Sequence, residues 1–221
     1  MKNLNELQKE GLKTFEILVE PGQFTEVRLL NTKQGTLSGY YNDVDKLIEH
    51  IQRYDRQYNI YITMNALREG IEARGKNHLK SYAKNTTSDK EIRCRRWILI
   101  DLDPERPAGI SSTEQVKVDT TTYNAARITK LYGTVSCKGD STEERPHRRS
   151  KILYAPKKRV PVAIELLQQI AAQCVEKGNK KKTVNRNEKR EPAEAYQGAR
   201  WSLICVYGWN PMRFPSQGKS R

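Results

Sequence analysis

Two carboxylates, two residues apart, close an apolar run: Arg95-Arg96-Trp97-Ile98-Leu99-Ile100-Asp101-Leu102-Asp103-Pro104. Trp97 to Leu102 is rich in β-formers and interrupted by one acid, which predicts a buried strand. Side chains alternate across a strand, so Asp101 and Asp103 project from the same face, about 7 Å apart along it. Pro104 has no N–H to give a ladder and is expected to end the element. Two neighbouring carboxylates repel unless a cation or a proton sits between them. Mg²⁺ takes such oxygen ligands and links them to substrate phosphates. The competing reading of Asp-x-Asp alone is a polar strand end with two solvated aspartates, and the pattern by itself does not choose.

The bulk composition favours a polyanionic partner. Among 221 residues, 40 Lys and Arg outweigh 26 Asp and Glu, for a net charge of +14. Nucleic acid is the simplest such partner and an anionic membrane surface the competitor. No apolar run is long enough to span a bilayer, and the polar start, Met1 to Glu10, reads as neither a signal nor a transit peptide. Cys94, Cys137, Cys174 and Cys205 are scattered, with no C-x-x-C pair. That supports neither a zinc site nor a disulfide framework, and it fits a reducing cytoplasm. Only 36% of the residues are hydrophobic, which predicts one modest core and a poorly ordered C-terminal third.

The elements that must position the acids follow from periodicity and punctuation. Met1 to Glu20 begins as a short helix broken by Pro21-Gly22. Glu26 to Asn31 reads as a strand, Gly35 as a turn and Leu37 to Tyr41 as its hairpin partner. Asp43 is placed to cap a helix with Val44, Leu47, Ile48 and Ile51 at helical spacing. Asn59 to Met64 is a strand with Ile60 and Ile62 on one face and Tyr61 and Thr63 on the other. Arg74 to Asp89 is a basic loop over the sheet, and the acid-bearing strand follows it. A brief strand, Val116 to Asp119, ends in a third acid. Thr120 to Leu131 is amphipathic, either helix or ordered loop, and Gly133 ends it. After a basic loop, Glu144 to Ser150, a last strand is expected at Lys151 to Ala155. Pro161 suits the first position of a helix running to about Glu176 and ending at Gly178. Lys177 to Arg190 is a linker or a phosphate-binding arm, and Tyr196 to Arg221 has room for one or two strands but no second core.

Two of these segments together resemble a known group. Thr86 to Pro107, centred on Ile100-Asp101-Leu102-Asp103-Pro104, looks like the first motif of the archaeo-eukaryotic primase superfamily. The closer likeness is to the primase-polymerase domains of phages and mobile elements. Val116 to Thr134, with Lys138-Gly139-Asp140 and Arg145-Pro146-His147-Arg148 after it, resembles the family's third motif. The likeness covers roughly residues 58–155.

The resemblance implies an α/β (α+β) fold: a two-part core with an RRM-like catalytic sheet, here incomplete. It divides residues 1–176 into an N-terminal α/β part (1–85), a catalytic part (86–155) and a helix (156–176), with 177–221 a basic linker and irregular tail. It makes Asp101, Asp103 and Asp119 the catalytic, metal-binding acids, holding two Mg²⁺ or Mn²⁺ ions. Arg127, Lys138, His147 and Arg148 become the residues that bind the nucleotide's phosphates, a task suited to cationic side chains. The implied partners are nucleoside triphosphates, a single-stranded DNA or RNA template and a replicative helicase, with no membrane.

The departures from the family are as informative as the match. The second motif, a Ser-x-His, belongs between the first and the third. Here Ser111-Ser112-Thr113-Glu114-Gln115 runs straight into Val116, and neither His50 nor His78 takes its place by position. Gly218-Lys219-Ser220 lacks the earlier glycine of a P-loop. Residues Ala199 to Arg221 look unlike the family. Three readings follow: a primase-type nucleotidyltransferase, a catalytically dead remnant that binds nucleic acid through its basic loops, or a fragment that regulates a full-length primase. A metal-dependent nuclease also uses acid clusters, but no family likeness supports it.

Overall fold

The computed structural model describes residues 4–104, 116–118, 122–137, 141–143, 146–157, 160–169 and 202–207, with 102–104, 116–118 and 202–207 described as backbone only. The chain is mixed α/β, with a mostly antiparallel main sheet and few helices. Its elements are α1 (Glu6–Leu18), β1 (Thr25–Thr32), β2 (Gly35–Tyr41), α2 (Val44–Ile51), β3 (Asn59–Thr63), β4 (Ala66–Leu67), β5 (Ile92–Cys94), β6 (Trp97–Pro104), β7 (Val116–Val118), β8 (Ile128–Lys130), β9 (Val135–Ser136), β10 (Arg148–Arg149) and β11 (Ser202–Tyr207). The main sheet has the order β2-β1-β3-β8, and a second has the order β11-β6-β7.

Both helices start where side chains satisfy their first N–H groups. Asn5 accepts from the Gln8 amide, and the Gln8 side chain accepts from the Asn5 amide, closing a capping box. Asp43 accepts from the Lys46 amide, as its position before the apolar series predicts. The helices bury Leu7, Phe15 and Leu18, and Leu47, Ile48 and Ile51, against Val27 and Leu29 of β1 and Ile60 and Ile62 of β3. Trp97 and Leu99 of β6 join the same core. The alternation in β1 and β3 thus sends its apolar set to one face.

The opposite set of β1 starts with a charged pair, Glu26 and Arg28. Glu26 is fully enclosed. Its carboxylate accepts from Arg28 Nη2 at 2.6 Å, Ser38 Oγ at 2.5 Å and the Thr87 amide at 2.9 Å. Arg28 also donates to the Thr87 carbonyl at 2.7 Å. A buried carboxylate is tolerated only with this degree of pairing. The network joins β1, β2 and the end of the long segment between β4 and β5.

That segment does not lie over the sheet as the sequence suggests; part of it runs along the outer edge of β2. Ser38 and Lys80 exchange backbone hydrogen bonds at 3.0 and 2.9 Å, Tyr40 donates to Gly75 at 2.9 Å, and Tyr82 donates to Gln34 at 3.0 Å. An otherwise open strand edge is closed in this way. Gly39 permits the approach: a Cβ there would sit 2.3 Å from the His78 carbonyl oxygen. A short helical turn, Ile71–Arg74, begins the segment. Arg74 pairs with Glu91, which also accepts from the Ser88 amide and hydroxyl.

Several expected elements differ. Lys151 to Ala155 is not a strand. The ladder forms earlier, where Arg148–Arg149 pairs with Val135–Ser136, and Ile152 N–H instead donates to Glu10 at 2.8 Å. Within Thr120 to Leu131, residues 122–127 form turns and Ile128–Lys130 is a strand paired with β3, not a helix. The helix expected from Pro161 is described over 164–169, so Pro161 lies outside it; its predicted end near Glu176 falls outside the described residues. Within Tyr196 to Arg221, where one or two strands are expected, Ser202–Tyr207 forms β11, parallel to β6. Among the described residues, no helix is long and apolar enough to cross a membrane.

Glu26→Ala strands Arg28 and two further donors in the interior. It should cost about 3–5 kcal/mol, read as a lower urea midpoint with an unchanged slope. The Arg74 guanidinium, aided by the Ser88 amide, holds the Glu91 carboxyl down to about 2 from an ordinary 4.5. A depressed carboxyl stabilises the fold above its unfolded value and ceases to do so as it is protonated. Stability should therefore fall as pH drops from 4.5 towards 2, and Glu91→Gln should flatten that limb of an acid-unfolding curve.

Candidate metal and nucleotide site on the central strand

The acid-bearing strand β6 is anchored at its start by one buried side chain. Asn65, between β3 and β4, accepts from the Arg96 and Trp97 amides at 2.8 and 2.9 Å through Oδ1. Its Nδ2 donates to the carbonyls of Ala125 at 2.9 Å and Trp97 at 3.3 Å. Acceptor and donors are both used, as burial of an amide requires. Thr122 Oγ1 adds a bond to the Leu99 carbonyl at 3.1 Å. Asp89 accepts from the Ala126 amide at 2.7 Å, so the turn before β8 is fixed from a third side.

Asp101 is half-buried. It shares a face of β6 with Leu99 and Trp97, two and four residues back, so the apolar face of the strand ends in a carboxylate. Tyr132 lies within reach of its charge. Burial raises the Tyr132 hydroxyl above its ordinary value, a hydrogen bond from Thr129 works against the rise, and the Asp101 charge adds to it. Asp103 lies on β6, and its side chain is outside the described set. Asp119 and Lys138 also lie outside the described residues. The backbone nevertheless relates the two acid-bearing segments. β6 and β7 are antiparallel, with Leu102 opposite Val118, Asp103 opposite Lys117 and Pro104 opposite Val116. Val118, the residue before Asp119, therefore faces Leu102, the residue after Asp101. Pro104 is the last residue of the strand, as its missing N–H leads one to expect.

The predicted cations are spread along the elements that follow. Arg127 is half-buried in the turn before β8, its amide donating to Asn124 at 3.3 Å. Arg127 and Tyr132 sit at opposite ends of β8. Arg148 lies in β10, opposite Ser136, and His147 precedes it, its amide donating to Ser141 Oγ at 3.1 Å. This hairpin follows directly from the Tyr132–Gly133 turn, since Gly133 and Ser150 are joined by a backbone bond at 3.0 Å.

The next arginine is an internal clamp that the basic run concealed. Arg149 pairs with Asp55 at 2.8 Å, donates to the Gly133 carbonyl and lies 3.7 Å from Glu6. Asp55 in turn accepts from the Val135 amide at 2.8 Å. Asn65 and Arg149 are the two positioning residues missed by sequence reasoning. A single Asn at a strand end and the last Arg of a basic run carry no signal of burial.

Among the described residues, no group of three His, Cys, Asp or Glu side chains is arranged to hold a metal ion. Comparison with known proteins returns no matching family model, no matching curated protein and no matching solved structure.

Removing the Asn65 amide leaves buried N–H and C=O groups of Trp97, Arg96 and Ala125 without a partner. Asn65→Ala should cost about 2–4 kcal/mol. The change should be visible residue by residue as faster hydrogen exchange at the Arg96 and Trp97 amides than in the wild type.

Proposed function

We propose that this chain is a primase-like nucleotidyltransferase domain of the archaeo-eukaryotic type, in which Asp101, Asp103 and Asp119 hold two Mg²⁺ or Mn²⁺ ions. The observation that carries the reading is the antiparallel register of β6 and β7. It ends with Val118 opposite Leu102, and one further step in the same register would bring Asp119 beside Asp101. The donor set fits such ions in kind, being all carboxylate. Two bound divalent ions supply a lowered pKa at an attacking hydroxyl and charge neutralisation at a leaving pyrophosphate.

The remaining roles belong to the chain. Asp101, on a strand fixed by Asn65, holds its carboxylate at the end of the core face. Arg127, Lys138, His147 and Arg148 bind the triphosphate of the incoming nucleotide. The net charge of +14 supports a single-stranded DNA or RNA template as the second substrate. A replicative helicase is the further partner proposed.

A second reading is favoured by one specific feature. Only residues 105–115 separate β6 from β7, and no His lies among them, so the Ser-x-His motif that the resemblance demands is missing. A domain lacking that contact to the nucleotide is a nucleic-acid-binding remnant, and its basic loops carry its function.

Incorporation of labelled nucleotides on a single-stranded template, with Mn²⁺ or Mg²⁺, separates the two. The catalytic reading expects short products from the wild type, and a loss on the order of 10³-fold in Asp101→Ala. Products undiminished in that variant would remove Asp101 from the chemistry. No product from the wild type with either ion would leave the binding remnant.

A further inference from the structure

A basic cleft lies away from β6. It is an open groove of about 710 Å³ between the β1–β2 turn, the turn after α2 and the strip that runs along β2. Its charged lining is cationic: Arg53 and Lys80, with His78 beside them and no Asp or Glu among the lining residues. Arg53 and Lys80 are exposed, and neither enters an ion pair among the described residues. This contrasts with Arg28, Arg74 and Arg149, whose charges are used internally. Gln34 and Gln57 add neutral amides. Such a lining selects an anion, and the volume is that of a nucleotide-sized ligand.

Aromatic rings stand at the same place. Arg53 lies over the Tyr54 ring, 4.8 Å from its centroid. Tyr82, next to cleft residue Ser81, is 68% exposed. Its φ of 53° is in the left-handed region, where a bulky side chain is strained. The strain is held by the hydrogen bond that the Tyr82 N–H donates to the Gln34 carbonyl. Gly35 lies against the ring: a Cβ there would be 3.2 Å from Tyr82 Cδ1. Backbone strain that presents an aromatic ring to solvent beside unpaired cations matches the stacking platforms of single-strand binders.

We propose that this cleft binds single-stranded nucleic acid, with Arg53 and Lys80 on consecutive phosphates and one base stacked on Tyr82. The cleft gives a location to the polyanion contact of the binding reading and rests on that reading for its ligand class. It does not depend on catalysis at Asp101.

The test is fluorescence anisotropy of the full chain with a labelled oligothymidylate at several salt concentrations. Two lost phosphate contacts should lower the slope of log K against log[salt] by about 1.4 in the Arg53→Ala/Lys80→Ala double variant. Tyr82→Ala should weaken binding about 5- to 150-fold, and Tyr82→Phe should restore it. All three side chains are exposed, and an unchanged melting temperature confirms that the variants fold. A wild type that binds while the double variant keeps the same affinity and slope overturns the cleft and leaves the binding reading standing. A wild type that binds no oligonucleotide overturns both. Sedimentation with phosphatidylserine vesicles that depends on Arg53 and Lys80, while oligonucleotide binding does not, reassigns the cleft to a membrane surface.

Discussion

The placement of the acid-bearing strand depends on the four hydrogen bonds of Asn65. β6 belongs to a different sheet from β1, β2 and β3. Its first residues are tied to the end of β3 through one amide, which also reaches Ala125 in the turn before β8. A side chain that donates and accepts at once can join two segments whose own backbone groups face one another without pairing. Hydrophobic burial of Trp97 and Leu99 supplies the attraction, but burial is non-directional. The amide sets the register in which the apolar face of β6 ends at Asp101.

Charge is divided between two uses. Arg28, Arg74 and Arg149 lie on carboxylates, where they complete buried or half-buried networks. These pairs close the fold: Glu26 with Arg28 joins β1 to the strip beside β2, and Asp55 with Arg149 holds the β9–β10 hairpin to the helical side. Other cations, such as Arg53 and Lys80, are exposed and line a cleft without carboxylates. A large positive total therefore says less than the distribution does. Only cations not committed to the interior are available to a polyanion.

Much of the N-terminal half was legible because its signals are local. Apolar alternation in Val27 and Leu29, and in Ile60 and Ile62, identified strands and their core face. Asp43 before a helical series identified a helix start. What could not be read depends on distant partners. Nothing in the sequence marks Glu26 as buried, because its three donors come from Arg28, Ser38 and Thr87. Ile128-Thr129-Lys130 is too short to show a period of two, and its strand character comes from pairing with β3. Lys151 to Ala155 carries β-forming residues but follows, rather than forms, the β9–β10 ladder. Of the candidate site, Asp101, Arg127, His147 and Arg148 lie on elements that the described structure places. Asp119 and Lys138 fall outside it.

The central claim is that acids at the ends of β6 and β7 share divalent ions, and Mn²⁺ binding measured by titration calorimetry tests it most directly. The account predicts saturable binding by the wild type, near two ions per chain, and loss of at least one of them in Asp101→Ala with the fold intact. Binding that is absent in the wild type, or that survives unchanged in Asp101→Ala, would contradict it.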